Sequence, residues 1–196
     1  MSAAETKAAL RLRLRGELAK LSVTESAAGS SALRARLRSQ PIWKEAKSIL
    51  FFSPLPTEPD IWPLALEVLA MHRDVILPRY VAAEGRYALH RVHADPRALE
   101  PGQYGILEPT LACPEVDPKL LDLALVPGIG FTLAGGRLGR GRGYFDRLLA
   151  GIPGFKCGVA FDCQVALELP LEPHDVRLNC ILTPTRWHLV TGQDRS

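Results

Sequence analysis

No stretch of this 196-residue chain is apolar for the roughly 20 residues that a bilayer crossing takes. The N-terminus lacks the unbroken apolar core of a secretory signal, and Glu5 and Glu17 interrupt its arginines, against a transit peptide. The four cysteines, Cys113, Cys157, Cys163 and Cys180, form no C-x-x-C pair and no zinc spacing with the five histidines. Redox-motif and structural-zinc classes are thereby excluded. The thiols are expected to be reduced and buried in a cytoplasmic protein. There is no G-x-x-x-x-G-K-[ST], and Leu133 stands where a dinucleotide fingerprint beginning at Gly128-Ile129-Gly130 wants its third glycine. Neither a P-loop nor a nicotinamide dinucleotide site is expected. Internal repeats, linkers and a strong charge excess are also missing. A net charge of +3 suits an anionic small ligand better than a nucleic acid, which calls for a strongly basic face.

What is present reads as an ordinary globular domain, 47% apolar and 23% charged, long enough to bury one core over residues 1–196. Leu10, Leu14, Leu18 and Leu21 form one helical stripe over residues 3–20, and Lys7, Arg11 and Arg15 form another. Ser22 and Glu25 read as a capping box opening a second helix to about Ser39. Strands are expected from Ser48 to Phe52, Asp74 to Pro78, Asp122 to Val126, Lys156 to Phe161 and Leu178 to Leu182, and Arg86 to Val92 alternates like a hairpin arm. Helices are expected from Asp60 to about Ala70 and from Tyr144, with a short helix after Phe161. Residues 94–118, with Pro96, Pro101, Pro109, Pro114 and Pro118, read as a long functional loop. Alternating strands and helices predict an α/β fold: a single three-layer, Rossmann-like domain with a mostly parallel sheet flanked by helices. Ligands in such sheets sit at the carboxyl ends of the strands.

The strongest local signal follows Val126. Pro127-Gly128 stops the strand, and seven glycines between Gly128 and Gly143 then interleave with Arg137, Arg140 and Arg142 before Tyr144, Phe145 and Asp146 open a helix. Exposed backbone N–H groups, a helix N-terminus and guanidinium forks are the makeup of a phosphate cradle. An Arg-Gly tail binding RNA would be long, repetitive and poor in apolar residues, whereas Leu125-Val126 and Leu148-Leu149 flank this one. Asp146, in the first helical turn, suits either a cap or a hard oxygen ligand for Mg²⁺.

The run PGIGFTLAGGRLGRGRGYFDR also resembles the signature of the 5-formyltetrahydrofolate cyclo-ligase family, P-G-x-x-F-D-x-x-G-x-R-L-G-x-G-x-G-Y-Y-D. Lys7 to Arg11 is similar to the family's N-terminal K-x-x-L-R, Glu58-Pro59-Asp60 to its acidic segment after the first strand, Gly105 to Pro109 to its G-I-x-E-P, and His174-Asp175 to its late H-D. Thr132, Phe145 and Asn179 depart from it, standing where Asp, Tyr and Asp are usual, and Thr132 and Asn179 each remove a negative charge near the expected nucleotide site.

The resemblance implies ATP- and Mg²⁺-dependent closure of 5-formyltetrahydrofolate to 5,10-methenyltetrahydrofolate, with ADP and phosphate released. It implies ATP contacts from Lys7, Ala8, Ala9, Leu10 and Arg11, and from Arg137, Leu138, Gly139, Arg140, Gly141, Arg142, Gly143, Tyr144 and Phe145. Folate contacts fall to Arg11, Leu55, Glu58, Asp60, Arg140 and Tyr144, catalytic roles to Arg140 and Tyr144, and Mg²⁺ ligation to Asp146 and Asp175. His174 is given no catalytic role. The expected partners are folate and ATP, with no nucleic acid and no membrane, and the protein is expected to act as a monomer. The alternatives are a weak or inactive paralogue that binds folate or nucleotide, favoured by the carboxylates missing at positions 132 and 179, and an RNA-binding module.

Overall fold

The protein is seen in a computed structural model that describes residues 6–92, 98–102, 105–172 and 175–191. Helix α1 (Lys7–Ala19) starts where the Thr6 hydroxyl accepts from the Ala9 N–H, 3.2 Å away. Its expected first residues, and His174, lie outside the described residues. Helix α2 (Val23–Arg38) begins with the expected capping box: Ser22 Oγ accepts from Glu25 N–H at 3.2 Å, and Glu25 Oε2 accepts from Ser22 N–H at 2.8 Å. Short helix α3 (Pro41–Glu45) leads into strand β1 (Ser48–Leu50). Helix α4 (Trp62–Ala70) starts two residues after the expected Asp60, whose carboxylate accepts from the Trp62 N–H.

Strands β2 (Asp74–Val81) and β3 (Arg86–Val92) form an antiparallel hairpin, so β2 runs past its expected end at Pro78. The central strand β6 (Leu123–Val126) and helix α5 (Tyr144–Ala150) fall as expected. Strand β9 (Phe155–Val159) ends before Phe161, and a single 3-10 turn over Asp162–Gln164 takes the place of the short helix. Strand β10 is Cys180–Leu182.

Three features were not foreseen. The Pro-rich segment contains a small hairpin, β4 (Leu99–Pro101) with β5 (Leu107–Pro109). The Gly/Arg stretch is partly a ribbon, β7 (Gly130–Phe131) with β8 (Arg137–Leu138). A last strand, β11 (Trp187–Leu189), closes one sheet edge, where Trp187 stacks on Phe155.

The main sheet has seven strands in the order β11-β10-β9-β6-β1-β2-β3. The five inner strands are parallel and the two edge strands antiparallel. Side-chain alternation divides the apolar residues between two faces. Ile49, Val75, Leu77, Leu123, Leu125 and Leu182 pack with Leu33, Leu37, Leu64 and Val68 of α2 and α4. Leu50, Ile76, Ala124, Val126 and Ile181 pack on the other face with Phe131, Leu148 and Leu149. Helix α1 lies over the ribbon through Leu10, Leu14, Ile129 and Leu138. The result is the expected three-layer α/β domain. The chain leaves β1 toward β2 and later resumes on β1's other side at β6, so the carboxyl ends of β1 and β6 flank a topological switch point, where such sheets bind ligands.

Candidate active site

A cavity of about 310 Å³ opens at that switch point. The turn after β1 supplies Phe52, Leu55 and Glu58, and the end of β6 supplies Pro127 and Gly128. The stretch from β8 into α5 adds Arg137, Gly139, Arg140, Arg142, Gly143, Tyr144, Phe145 and Asp146. The hairpins close the remaining side with Pro78, Tyr87, Ile106, Leu107 and Glu108. The cradle and the Leu55–Glu58 turn, about 80 residues apart in sequence, therefore share one space.

The three arginines differ in surroundings. Arg137 is only 6% exposed: its Nη1 donates to the Pro127 carbonyl at 3.1 Å and its Nη2 to Asp146 Oδ1 at 2.6 Å, over the Phe145 ring. It braces the loop, and its Nε is buried without a hydrogen-bond partner among the described residues. Arg140 bridges the two halves of the cavity, its Nη2 donating at 2.7 Å to Glu58 Oε1. Glu58, expected as a folate contact, is 8% exposed, and its Oε2 accepts from the Leu55 N–H at 3.0 Å. Arg142 is exposed and lies by Tyr144. The Tyr80 hydroxyl donates to Tyr144 at 3.1 Å, and this bond, followed by the Arg142 guanidinium, holds the Tyr144 phenol below its ordinary pKa.

Asp146 is not a helix cap. Gly143 is the N-cap of α5, in a left-handed conformation with φ of 66° that favours glycine, and the Asp146 carboxylate turns to Arg137 instead. The N-terminal residues stand behind the cavity walls. Arg11 Nε donates to the Gly139 carbonyl at 2.9 Å, and its guanidinium also lies against Gly141. Lys7 pairs with Glu172 and Asp175, each at 3.0 Å. Ala8 and Ala9 are exposed, while Leu10 and Leu138 are buried against each other. Asp60 faces a second groove, where it pairs with Arg34 at 3.6 Å.

Thr132 and Asn179, expected near the nucleotide, are not cavity residues either. Thr132 is buried in the ribbon turn, its hydroxyl accepting from the Gly136 N–H. Asn179 sits at the amino end of β10, accepting from the Lys156 N–H. Sequence reasoning in turn missed Tyr80 and Tyr87, and gave Glu108 a place in the G-I-x-E-P resemblance without a chemical role. Tyr80 and Tyr87 are cross-strand partners that pack with Tyr144. Their facing positions in two alternating strands were the available signal.

Among the described residues, no group of three or more His, Cys, Asp or Glu forms a metal cluster, and no helix is long and apolar enough to cross a membrane. Asp146 is the one expected Mg²⁺ ligand in the cavity wall. Arg137 is buried and ion-paired, and Arg140 and Arg142 line a cavity between apolar walls, so the Gly/Arg run is part of a folded site and not an RNA-binding tail.

A model of the 5-formyltetrahydrofolate cyclo-ligase family matches residues 3–184. The chain is 32% identical over 162 residues to the 5-formyltetrahydrofolate cyclo-ligase of Mycolicibacterium smegmatis, covering 80% of this chain and 82% of that one. It is 29% identical over 155 residues to the same-named protein of Escherichia coli K12, covering 77% and 85%. Its fold is similar to the NMR structure of Aquifex aeolicus 5,10-methenyltetrahydrofolate synthetase, with a TM-score of 0.86 and 35% identity over 97% of this chain and 95% of that one.

Proposed function

The chain belongs to the 5-formyltetrahydrofolate cyclo-ligase family, and from that premise we propose how its cavity carries the reaction. The enzyme converts 5-formyltetrahydrofolate to 5,10-methenyltetrahydrofolate, with ATP consumed to ADP and phosphate. The formyl oxygen, amide-like, is a poor leaving group. Transfer of the γ-phosphoryl group to it makes it a good one; N10 then attacks the formyl carbon, N10 loses its proton, and phosphate departs. The protein contributes positioning and charge neutralisation.

One observation carries this reading. A single cavity is walled on one side by Arg140, Arg142 and the cradle glycines, and on the other by Leu55 and Glu58, so an anion and a flat heterocycle can meet there. Arg142, exposed at the cradle tip, takes the phosphates; Arg137 holds the loop that presents them. Arg140, joined to Glu58, acts where the phosphoryl group meets the formyl oxygen. Tyr144 orients the folate near N10. Arg11 supports the cradle from α1 by holding the Gly139 carbonyl, whereas Lys7 is tied to Glu172 and Asp175 and Leu10 is buried on Leu138. Mg²⁺, which supplies neutralising charge, would be held by Asp146 from the cavity wall, while Asp175, the second expected ligand, pairs with Lys7 outside that wall.

Three buried free cysteines fit a reducing cytoplasm, and the protein acts there as a monomer on small molecules. No observation favours an inactive paralogue, because Thr132 and Asn179, the residues that suggested one, lie away from the cavity. The test is direct. Pure protein should hydrolyse ATP only when 5-formyltetrahydrofolate is present, with methenyl absorbance rising in step. Folate-independent hydrolysis, or none, overturns the reading.

A further inference from the structure

Each cavity arginine has an acid or phenol beside it: Arg137 has Asp146, Arg140 has Glu58 and Arg142 has Tyr144. One acid in the wall has no cation in contact among the described residues. Glu108, at the centre of β5 and 7% exposed, lines the cavity beside Ile106 and Leu107. Its Oε2 accepts from the Tyr80 backbone N–H at 3.3 Å, and a Cβ on Gly102 would overlap the carboxyl group. Oε1 makes no hydrogen bond among the described residues, yet it is not one of the fully buried, unpartnered atoms, so it keeps contact with solvent. Arg79 acts on Glu108 only at a distance, with no ion pair between them among the described residues. Its Nη1 is spent on Glu100 at 2.6 Å and on the Pro109 carbonyl.

We propose that Glu108 positions the folate: with Oε2 accepting from Tyr80, its outer oxygen carries the proton and donates it in a hydrogen bond to the 4-oxo group of the pterin. The inference rests on the reading that this cavity takes 5-formyltetrahydrofolate. The 4-oxo group is the exocyclic acceptor on the ring, since the formyl oxygen must stay free to face the phosphoryl group. Burial pushes the Glu108 carboxyl above its ordinary pKa, the Tyr80 N–H and the Arg79 charge opposing and Glu100 adding. A bound ring would exclude more water and favour the protonated form further. A wall acid that is neutral also avoids repelling the phosphates that gather at the arginines.

The test compares the natural enzyme with Glu108→Gln and Glu108→Leu, measuring the Kd of 5-formyltetrahydrofolate by titration calorimetry across pH, with KM for folate and for ATP. Gln repeats the proposed pattern: its amide oxygen accepts from Tyr80 and its NH₂ donates to the pterin. Glu108→Gln should therefore melt like the natural protein and keep folate affinity within about threefold, less than one net hydrogen bond. Glu108→Leu should weaken folate by about tenfold or more at unchanged ATP KM, the scale of one unmade hydrogen bond.

The pH profile isolates the proton. A raised acid that binds in its neutral form acts fully below its pKa and is lost as pH rises through it. Folate affinity of the natural enzyme should fall along that rise, while Glu108→Gln stays flat. The other titratable or charged groups nearby are Arg79 and Tyr80 on β2, Tyr87 and His90 on β3, Glu100 on β4, and Glu58, Arg137, Arg140, Arg142, Tyr144 and Asp146 around the cavity. They are shared by both proteins and cancel in the comparison. The inference is overturned if the two profiles coincide, if Glu108→Gln weakens folate as much as Glu108→Leu, or if Glu108→Leu changes nothing. A natural protein that binds folate normally in those cases leaves the functional reading standing; failure of the natural protein to bind folate removes both.

Discussion

At the scale of single residues, the arginines of one motif divide between holding the loop and meeting a ligand. The Arg137 side chain is 3% exposed and ion-paired, so removing it leaves Asp146 without its counter-charge. Arg137→Ala should cost about 3 kcal/mol or more in denaturant unfolding, the scale of a broken buried pair. Arg142→Ala should unfold like the parent yet raise the ATP KM about tenfold, since a charged hydrogen bond is worth roughly 1.5–3 kcal/mol. An unchanged ATP KM would mean that the phosphates do not rest on the cradle tip. Asp146→Asn would be silent if Asp146 were a cap; here it should lower the melting temperature, because Arg137 loses its partner charge. Tyr80→Phe should move the Tyr144 titration to higher pH, read by ultraviolet difference titration against a Tyr144→Phe control, because the Tyr80 hydroxyl is the leading cause of the lowered value.

At the scale of elements, the switch point depends on β1 and β6 starting in register. Asp122 fixes that start: its Oδ2 accepts from the N–H groups of Lys47 at 2.8 Å and Ser48 at 2.9 Å, and from the Ser48 hydroxyl at 3.1 Å. Partial burial pushes its carboxyl up, but the hydrogen bonds from Ser48 and Lys47 win and hold it below the usual range. A depressed carboxyl adds stability that is complete above the unfolded pKa and is lost as pH falls through the folded one. Asp122→Asn should therefore cost about 1 kcal/mol at neutral pH, allowing for its exposure, and should flatten the fall of stability below about pH 4. Equal acid sensitivity in the two proteins would exclude Asp122 as a source. The capping box of α2 and the alternating strands were legible at this scale. Hairpin β4–β5 was not, because three-residue strands containing Pro101 and Pro109 carry too little pattern to separate from loop.

For the whole molecule, the four thiols test the compartment. Cys157 and Cys180 are cross-strand partners with sulfurs 3.5 Å apart, fully buried, and burial pushes the Cys180 thiol far above its ordinary pKa. The thiolate needed for exchange is therefore strongly disfavoured. Reductant should leave the melting temperature unchanged; a drop of many degrees would reveal a stabilising disulfide and contradict the cytoplasmic reading.

The sequence by itself determined the three-layer α/β class, the stripe of α1, the central strand into the Gly/Arg cradle, and the family through ordered motifs. Each of these is local: a period, a cap or a run of residues within one segment. Tertiary structure decided which motif residues share a space. It set Glu58 against Arg140, buried Arg137 on Asp146, and left Lys7, Leu10 and Asp60 outside the cavity wall. It also carried Thr132 and Asn179 away from it, because Thr132 is buried in the turn of the ribbon β7–β8 and Asn179 stands at the amino end of β10. Tyr87 and Glu108 enter the site, and Tyr80 reaches it through Tyr144, only because two hairpins distant in sequence from the cradle close one side of the cavity. Their roles depend on contacts made across long loops, and a pattern read along one segment holds no record of such contacts.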